Sequence, residues 1–198
     1  MQYYDVVLSG FGGQGILLAG DVLAQAAMLD GKHVTWMPSY GVEMRGGAAS
    51  CTVVVSAERI GSPFADEPCC LFSMSKPSLF KFQDKVKKGG LLIVNTSFVD
   101  ADLVTRKDVD KICFPASEIA YQEVGEYKMA NMVMLGALIR AGAVVSLEKT
   151  EAAMREIFGG SKKKALPGML KAVRCGYQHV DQESGVRSQE SGVRIREL

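Results

Sequence analysis

YYDVVLSGFGGQGILLAGDVLAQAAML, residues 3–29, decides the fold. Tyr3 to Ser9 is apolar on both faces, as suits a strand buried between two layers of helices. A glycine cluster follows at once, and from Gly15 to Leu29 helix formers dominate. Gly31 then stands where a left-handed C-terminal cap would end that helix. His33 to Met37 (HVTWM) predicts a second strand. Strand, glycine turn, helix and strand make a βαβ unit, whose crossover is right-handed and whose strands run parallel. The fold class this predicts is α/β: a single doubly wound domain, mostly parallel sheet flanked by helices, with a helical C-terminal part.

Outward from that unit, Ala49 to Ser56 (ASCTVVVS) predicts a further strand, with a second layer of parallel sheet to follow. Cys69 to Met74 is a short buried strand. Ser75 caps a helix over Pro77–Lys87 with Leu79, Phe80, Phe82 and Val86 as its apolar members, and Gly89-Gly90 stops it. Leu91–Asn95 and Ile112–Pro115 are the remaining strands. Helices are expected at Ser117–Val124, Lys128–Arg140, Ser146–Phe158 and Lys164–Gln178. Residues 1–180 therefore form one domain. Residues 181–198 carry a direct repeat, QESGVR at 182–187 and again at 189–194, and read as a mobile polar tail.

Composition narrows the function. The chain has 198 residues, 47% of them hydrophobic, enough for one sizeable core. Twenty-three basic residues against 22 acidic ones leave +1, with no concentrated basic face of the kind that nucleic acid or an anionic membrane requires. The apolar stretches at Asn131–Leu138 and Ala141–Val145 are far shorter than the ~20 residues of a membrane span. A cytoplasmic protein is expected. Five scattered cysteines (Cys51, Cys69, Cys70, Cys113, Cys175) without a C-x-x-C predict reduced thiols and no metal or cluster held by this chain.

Two loops carry the candidate chemistry. Gly10-Phe-Gly12-Gly13-Gln14-Gly15 matches G-x-G-x-x-G between strand and helix, where backbone N–H groups and the helix dipole can receive a phosphate or a partner group. The same glycines would also serve a tight turn with no ligand at all. Dinucleotide binding further needs an acid at the end of the second strand, and HVTWMPSY has none. The second loop, Ser39 to Gly47, follows the second strand and should share the carboxyl edge of the sheet with the first. Within it Tyr40, Glu43 and Arg45 set an aromatic ring, an acid and a base among Gly41, Gly46 and Gly47, a composition suited to a polar interface as well as to an ordinary solvated loop.

The GxGGQG turn and the loop Tyr40-Gly-Val-Glu43-Met-Arg45-Gly46-Gly47 together resemble the gamma subunit of the 2-oxoacid:ferredoxin oxidoreductases. Asn131-Met-Val-Met-Leu-Gly136 is similar to a helix of that family, so the resemblance spans about residues 3–180. It implies a complex that decarboxylates a 2-oxoacid oxidatively with thiamine diphosphate, sends electrons through iron–sulfur clusters to ferredoxin, and delivers the acyl group to coenzyme A. It also implies partners: alpha and beta subunits holding the thiamine cofactor, and clusters in beta or in a ferredoxin-like delta subunit. Gamma then contributes no catalytic residue and no metal ligand. Gly10, Gly12, Gly13, Gln14 and Gly15 face a phosphate or a partner, and Tyr40, Glu43, Arg45, Gly46 and Gly47 fix the docking. Substrate choice among 2-oxoglutarate, pyruvate and ketoisovalerate types is expected to rest on alpha and beta, with 2-oxoglutarate the first to try.

Two other classes compete: a free-standing nucleotide-binding enzyme, which lacks the ribose acid, and a regulatory or assembly module that would purify without alpha and beta. His33 and His179 have no carboxylate or serine partner in view and are assigned no catalytic part. Asn131, an amide in an apolar helix, must find hydrogen bonds or cost about 1–3 kcal/mol, and a bond to a neighbouring loop is the expected outcome.

Overall fold

The computed structural model describes residues 3–40, 48–159 and 164–190, with side chains for 3–39, 49–159 and 164–180. Strand β1 (Tyr3–Phe11) leads through the glycine turn into α1 (Ile16–Leu29), then β2 (His33–Tyr40) and β3 (Ala48–Ser56). After a 13-residue connection, residues 57–69, come β4 (Cys70–Ser73), α2 (Lys76–Phe82), β5 (Leu91–Asn95) and β6 (Asp110–Phe114). The chain closes with α3 (Ala116–Val124), α4 (Ala130–Gly142), α5 (Leu147–Phe158) and α6 (Leu166–Glu190). Gly31 follows α1 at φ 73°, the left-handed stop that the sequence predicts.

All six strands belong to one sheet in the order β2-β3-β1-β4-β5-β6. β1, β4, β5 and β6 pair in parallel, while β3 runs antiparallel to both β1 and β2. The strands of the expected βαβ unit, β1 and β2, do point the same way, but the antiparallel β3 lies between them, where a further parallel strand was expected. The single sheet also removes the expected second layer. The reason is length. Only residues 41–47 join β2 to β3, and a parallel crossover needs about a dozen residues or more, so the two strands form an antiparallel hairpin.

Side chains alternate across the sheet with a period of two, which divides the core. Val6 and Leu8 of β1 and Cys51, Val53 and Val55 of β3 face α1, α4, α5 and α6. Val7, Leu71, Leu92 and Val94 face the other way, onto Leu79 of α2 and the loop residues Val86, Val99 and Val104. Helices thus cover both faces, as a doubly wound sheet requires.

Three elements depart in extent from expectation. α2 stops at Phe82, and residues 83–85 tighten into a 3₁₀ turn. Phe80, expected among its apolar members, is 57% exposed. α6 runs past Gln178 to Glu190, through the first QESGVR copy, so the domain boundary expected at residue 181 falls inside a helix. Its polar residues there include Gln, Glu and Arg, all sound helix formers, and no proline interrupts them. Residues 191–198 lie outside the described residues. Among the described residues no helix is long and apolar enough to cross a membrane.

α5 and α6 are tied at one point by charge. Arg174 Nη2 donates to Glu151 Oε2 at 2.8 Å, and Arg155 approaches the same carboxylate from one helical turn away. The Arg174 bond holds the Glu151 carboxyl below its ordinary value of 4.5. A depressed folded-state pKa gives stability that is present above that ordinary value and fades as pH falls through the folded one. Glu151→Gln should therefore lower the melting temperature slightly at pH 7 and weaken the loss of stability on acidification below pH 4.5. Thermal melts of both proteins from pH 7 to pH 3 check this, and parallel curves would refute it.

Candidate functional site

β1 and β4 lie side by side, and their connections leave in opposite directions, β1 to α1 on one face and β4 to α2 on the other. In open α/β sheets such a divergence opens a crevice at the carboxyl ends of the strands, where ligands bind. Here the glycine turn and the start of α2 flank it.

Gly13 and Gly15 adopt φ of 92° and 73°, a left-handed region that L side chains rarely enter, and Gly15 ends the turn where α1 begins. Gln14 then closes the crevice from within. Its Oε1 accepts from Phe11 N at 2.7 Å, and its Nε2 donates to Met74 O at 3.2 Å, just past β4. A Cβ on Gly10 would sit 2.4 Å from that same Oε1. Gln14 is thus a brace across the switch point.

Gly12 and Gly13 are exposed, and a Cβ built on Gly13 meets nothing within 4 Å. Among the described residues, no group accepts a hydrogen bond from the N–H of Gly12, Gly13 or Gly15. These donors stand at the N-terminus of a 14-residue helix, whose dipole favours negative charge. The turn therefore fits an anionic oxygen, from a phosphate or from a partner chain, arriving at its outer surface.

It does not fit a dinucleotide laid into the crevice. The ribose acid of such a site ends the strand beside β1, and here that neighbour is the antiparallel β3, which presents Ala48 opposite Phe11. The side chain of Gln14 occupies the space that remains.

Below the turn lies a buried set of hydroxyls. Ser9 Oγ donates to Ser78 Oγ at 2.9 Å, the Ser75 and Ser78 hydroxyls are 2.7 Å apart, and Ser73 Oγ donates to Ser75 O at 3.2 Å. They bond to one another and to backbone, with no histidine or carboxylate in the chain of bonds. They join β1, β4 and α2 structurally and offer no activated nucleophile.

Asn131 opens α4 at 4% exposure. Its Nδ2 donates to Gly15 O at 3.0 Å, and its Oδ1 accepts from Met132 N at 2.9 Å. The bond to a neighbouring loop expected from the sequence is made, and the loop is the glycine turn.

The second loop reaches the same edge. Tyr40 ends β2 opposite Ala49, and Ala48 opens β3 opposite Phe11, so both ends of the segment flank the glycine turn. Gly41, Glu43, Arg45, Gly46 and Gly47, like the side chain of Tyr40, lie outside the described residues. His33 starts β2 at the opposite edge of the sheet, and His179 on α6 packs its ring 5.0 Å from that of Phe114. Cys51, Cys69 and Cys70 are buried, and burial pushes the Cys51 thiol up to about 12. Among the described residues no group of three or more His, Cys, Asp or Glu could hold a metal ion.

The family described as Pyruvate ferredoxin/flavodoxin oxidoreductase matches residues 5–179. The 2-oxoglutarate synthase subunit KorC of Methanocaldococcus jannaschii is 40% identical over 164 residues, covering 82% of this chain and 88% of that one. Ketoisovalerate oxidoreductase subunit VorA of Methanothermobacter marburgensis is 41% identical over 172 residues. That alignment takes in 86% of this chain, which spans only 35% of the length of VorA. Among solved structures, the gamma subunit of a keto/oxoacid ferredoxin oxidoreductase from Geobacter sulfurreducens is similar at a TM-score of 0.74 and 31% identity, over 90% of this chain and 99% of that one.

Proposed function

This chain belongs to the pyruvate ferredoxin/flavodoxin oxidoreductase family, and from that premise we propose that it serves as the gamma-type subunit of a 2-oxoacid:ferredoxin oxidoreductase. The observation that carries the reading is its nearly end-to-end similarity to a free-standing relative, the KorC subunit of a 2-oxoglutarate synthase.

In this reading the complex is cytoplasmic and carries out coenzyme A-dependent oxidative decarboxylation of a 2-oxoacid. Alpha and beta subunits supply thiamine diphosphate, and beta or a delta subunit supplies iron–sulfur clusters that pass electrons to ferredoxin. The cysteines of this chain suit that division, since they are scattered without the C-x-x-C spacing from which cluster sites draw their thiolates. Coenzyme A supplies the thiol that receives the acyl group. The N–H donors of Gly12, Gly13 and Gly15 are the groups of this chain that would hold its phosphates. Gln14 and Asn131 keep the turn in shape, and the segment carrying Tyr40, Glu43, Arg45, Gly46 and Gly47 fixes the docking of partner subunits beside it.

The test is co-expression of this chain with candidate alpha and beta subunits, purification by a tag on this chain, and assay of viologen reduction with 2-oxoglutarate, pyruvate and ketoisovalerate. The expected result is co-purification and coenzyme A-dependent turnover, lost when this chain is omitted and reduced at least tenfold by Glu43→Ala with Arg45→Ala. A chain that purifies alone and restores nothing on addition would overturn the proposal.

A further inference from the structure

Tyr121 and Tyr127 are 52% and 58% exposed, yet their rings lie flat on one another, with centroids 4.5 Å apart and planes 9° from parallel. The local sequence brings them together. α3 ends at Gly125, whose φ of 85° reverses the chain and whose N–H donates to Tyr121 O at 2.8 Å. Residues Tyr127–Met129 then form a 3₁₀ turn, anchored by the buried Met129 side chain and by Met129 N donating to Glu126 O at 3.1 Å. Tyr127 is thereby folded back onto Tyr121. A Cβ on Gly125 would meet nothing within 4 Å, so open space adjoins the pair.

Exposed aromatic rings offer a π-face on which a planar base stacks. The surroundings indicate which molecule brings that base. The 3₁₀ turn runs straight into α4, so Tyr127 stands four residues before Asn131, about 6–8 Å away at the rise of such turns. Asn131 Nδ2 in turn donates to Gly15 O at 3.0 Å. The stacked pair therefore adjoins the glycine turn, whose N–H donors fit a phosphate. Lys128, exposed and next to Tyr127, adds a positive charge beside it. A nucleotide joins a planar base to phosphates in one molecule. Because Gln14 fills the crevice between β1 and β4, the base of such a ligand must lie outside the sheet, and the tyrosines supply a stacking surface there.

We propose that the Tyr121–Tyr127 pair receives the adenine ring of coenzyme A, whose phosphates rest on the N–H groups of Gly12, Gly13 and Gly15. The two halves of the nucleotide are then held by different physics: charge and helix dipole at the turn, ring stacking at the tyrosines. This inference rests on the proposed subunit role and on the phosphate reading of the turn, and the test separates all three.

The complex is purified by a tag on this chain, and its dissociation constant for coenzyme A is measured by equilibrium dialysis without a 2-oxoacid. Tyr121→Ala with Tyr127→Ala should weaken binding about tenfold or more, and Tyr121→Phe with Tyr127→Phe, which keeps both rings, should restore it. Thermal melts of the isolated variants should match wild type, because both rings are already exposed. Gly13→Asp, which puts a negative charge where a Cβ has open space, should weaken binding as well. Wild-type affinity in the double alanine variant, or equal losses with alanine and with phenylalanine, would overturn the stacking site. If Gly13→Asp still weakens binding in that case, the phosphate reading of the turn stands. Wild-type affinity in Gly13→Asp and in the double alanine variant would overturn the turn and the stacking site together. A wild-type chain that purifies with no partner overturns the subunit role and both sites with it.

Discussion

Gly176→Ala should lower the melting temperature of the isolated chain by roughly 6–12 °C, because two helices cross where a methyl group has no room. A Cβ on Gly176 of α6 would stand 1.8 Å from the carbonyl oxygen of Val133, and one on Gly136 of α4 would stand 2.0 Å from that of Val173. Both obstacles are backbone, so no rotamer change relieves them. Packed helices usually lie 8–10 Å apart, and mutual glycines permit an approach at the close end of that range or below it. Separating α4 from α6 would disturb Met132, Met134, Leu135 and Leu138, all fully buried, and over-packing of this kind costs about 3 kcal/mol. Gly136→Ala should behave alike. Gly61→Ala, where the added Cβ meets open space, should leave the melt unchanged. A Gly176→Ala protein that melts with wild type would mean the helices do not meet as described.

Gly15→Val should be the second severe change, and its cost should depend on Asn131. The φ of 73° at Gly15 is strained for a β-branched residue by about 1–3 kcal/mol. The new Cβ would also lie 2.3 Å from Asn131 Nδ2, displacing the amide from Gly15 O and from Met132 N and leaving buried groups without partners at a further cost of about 1–3 kcal/mol. Asn131→Ala alone loses those bonds but opens space above residue 15. Urea denaturation of both single variants and the double variant should therefore show the double as less destabilised than the sum, by about 1 kcal/mol or more. Additive costs would place Asn131 and Gly15 in separate structural units. If the N–H groups of the turn hold a phosphate in the complex proposed above, Gly15→Val should lower its turnover more than Asn131→Ala, since it alters those donors themselves.

The parts of this fold that can be read locally were legible in the sequence. The apolar run of β1, the glycine cluster and the helix formers of α1 each signal their own conformation, and Gly31 and Ser75 mark a helix end and a helix start where the backbone has them. The site was half legible for the same reason, since a glycine turn between strand and helix announces its position at the sheet edge. Placement of β3 was not legible from its composition, because ASCTVVVS suits a buried strand in either direction. Only the seven residues between β2 and β3 exclude the parallel choice. Gln14 reads as one more polar residue in a loop until Met74, sixty positions on, comes within bonding distance. Gly136 and Gly176 read as weak points in helices, and their purpose lies wholly in the opposite helix. Phe80 reads as core because hydrophobicity alone carries no sign of which side of a short helix will face away from the sheet.

The stem of the β2–β3 hairpin is held by its own ladder. Its ladder pairs His33 with Ser56 at one end and Tyr40 with Ala49 at the other, so the stem is fixed independently of residues 41–47. The free energy of closing such a segment grows only logarithmically with its length, by about 0.6 kcal/mol for each doubling. Insertions between Tyr40 and Ala48 should therefore be tolerated by the fold, and a library of lengths there would read out the geometry of whatever the segment meets, free of any confounding loss of stability.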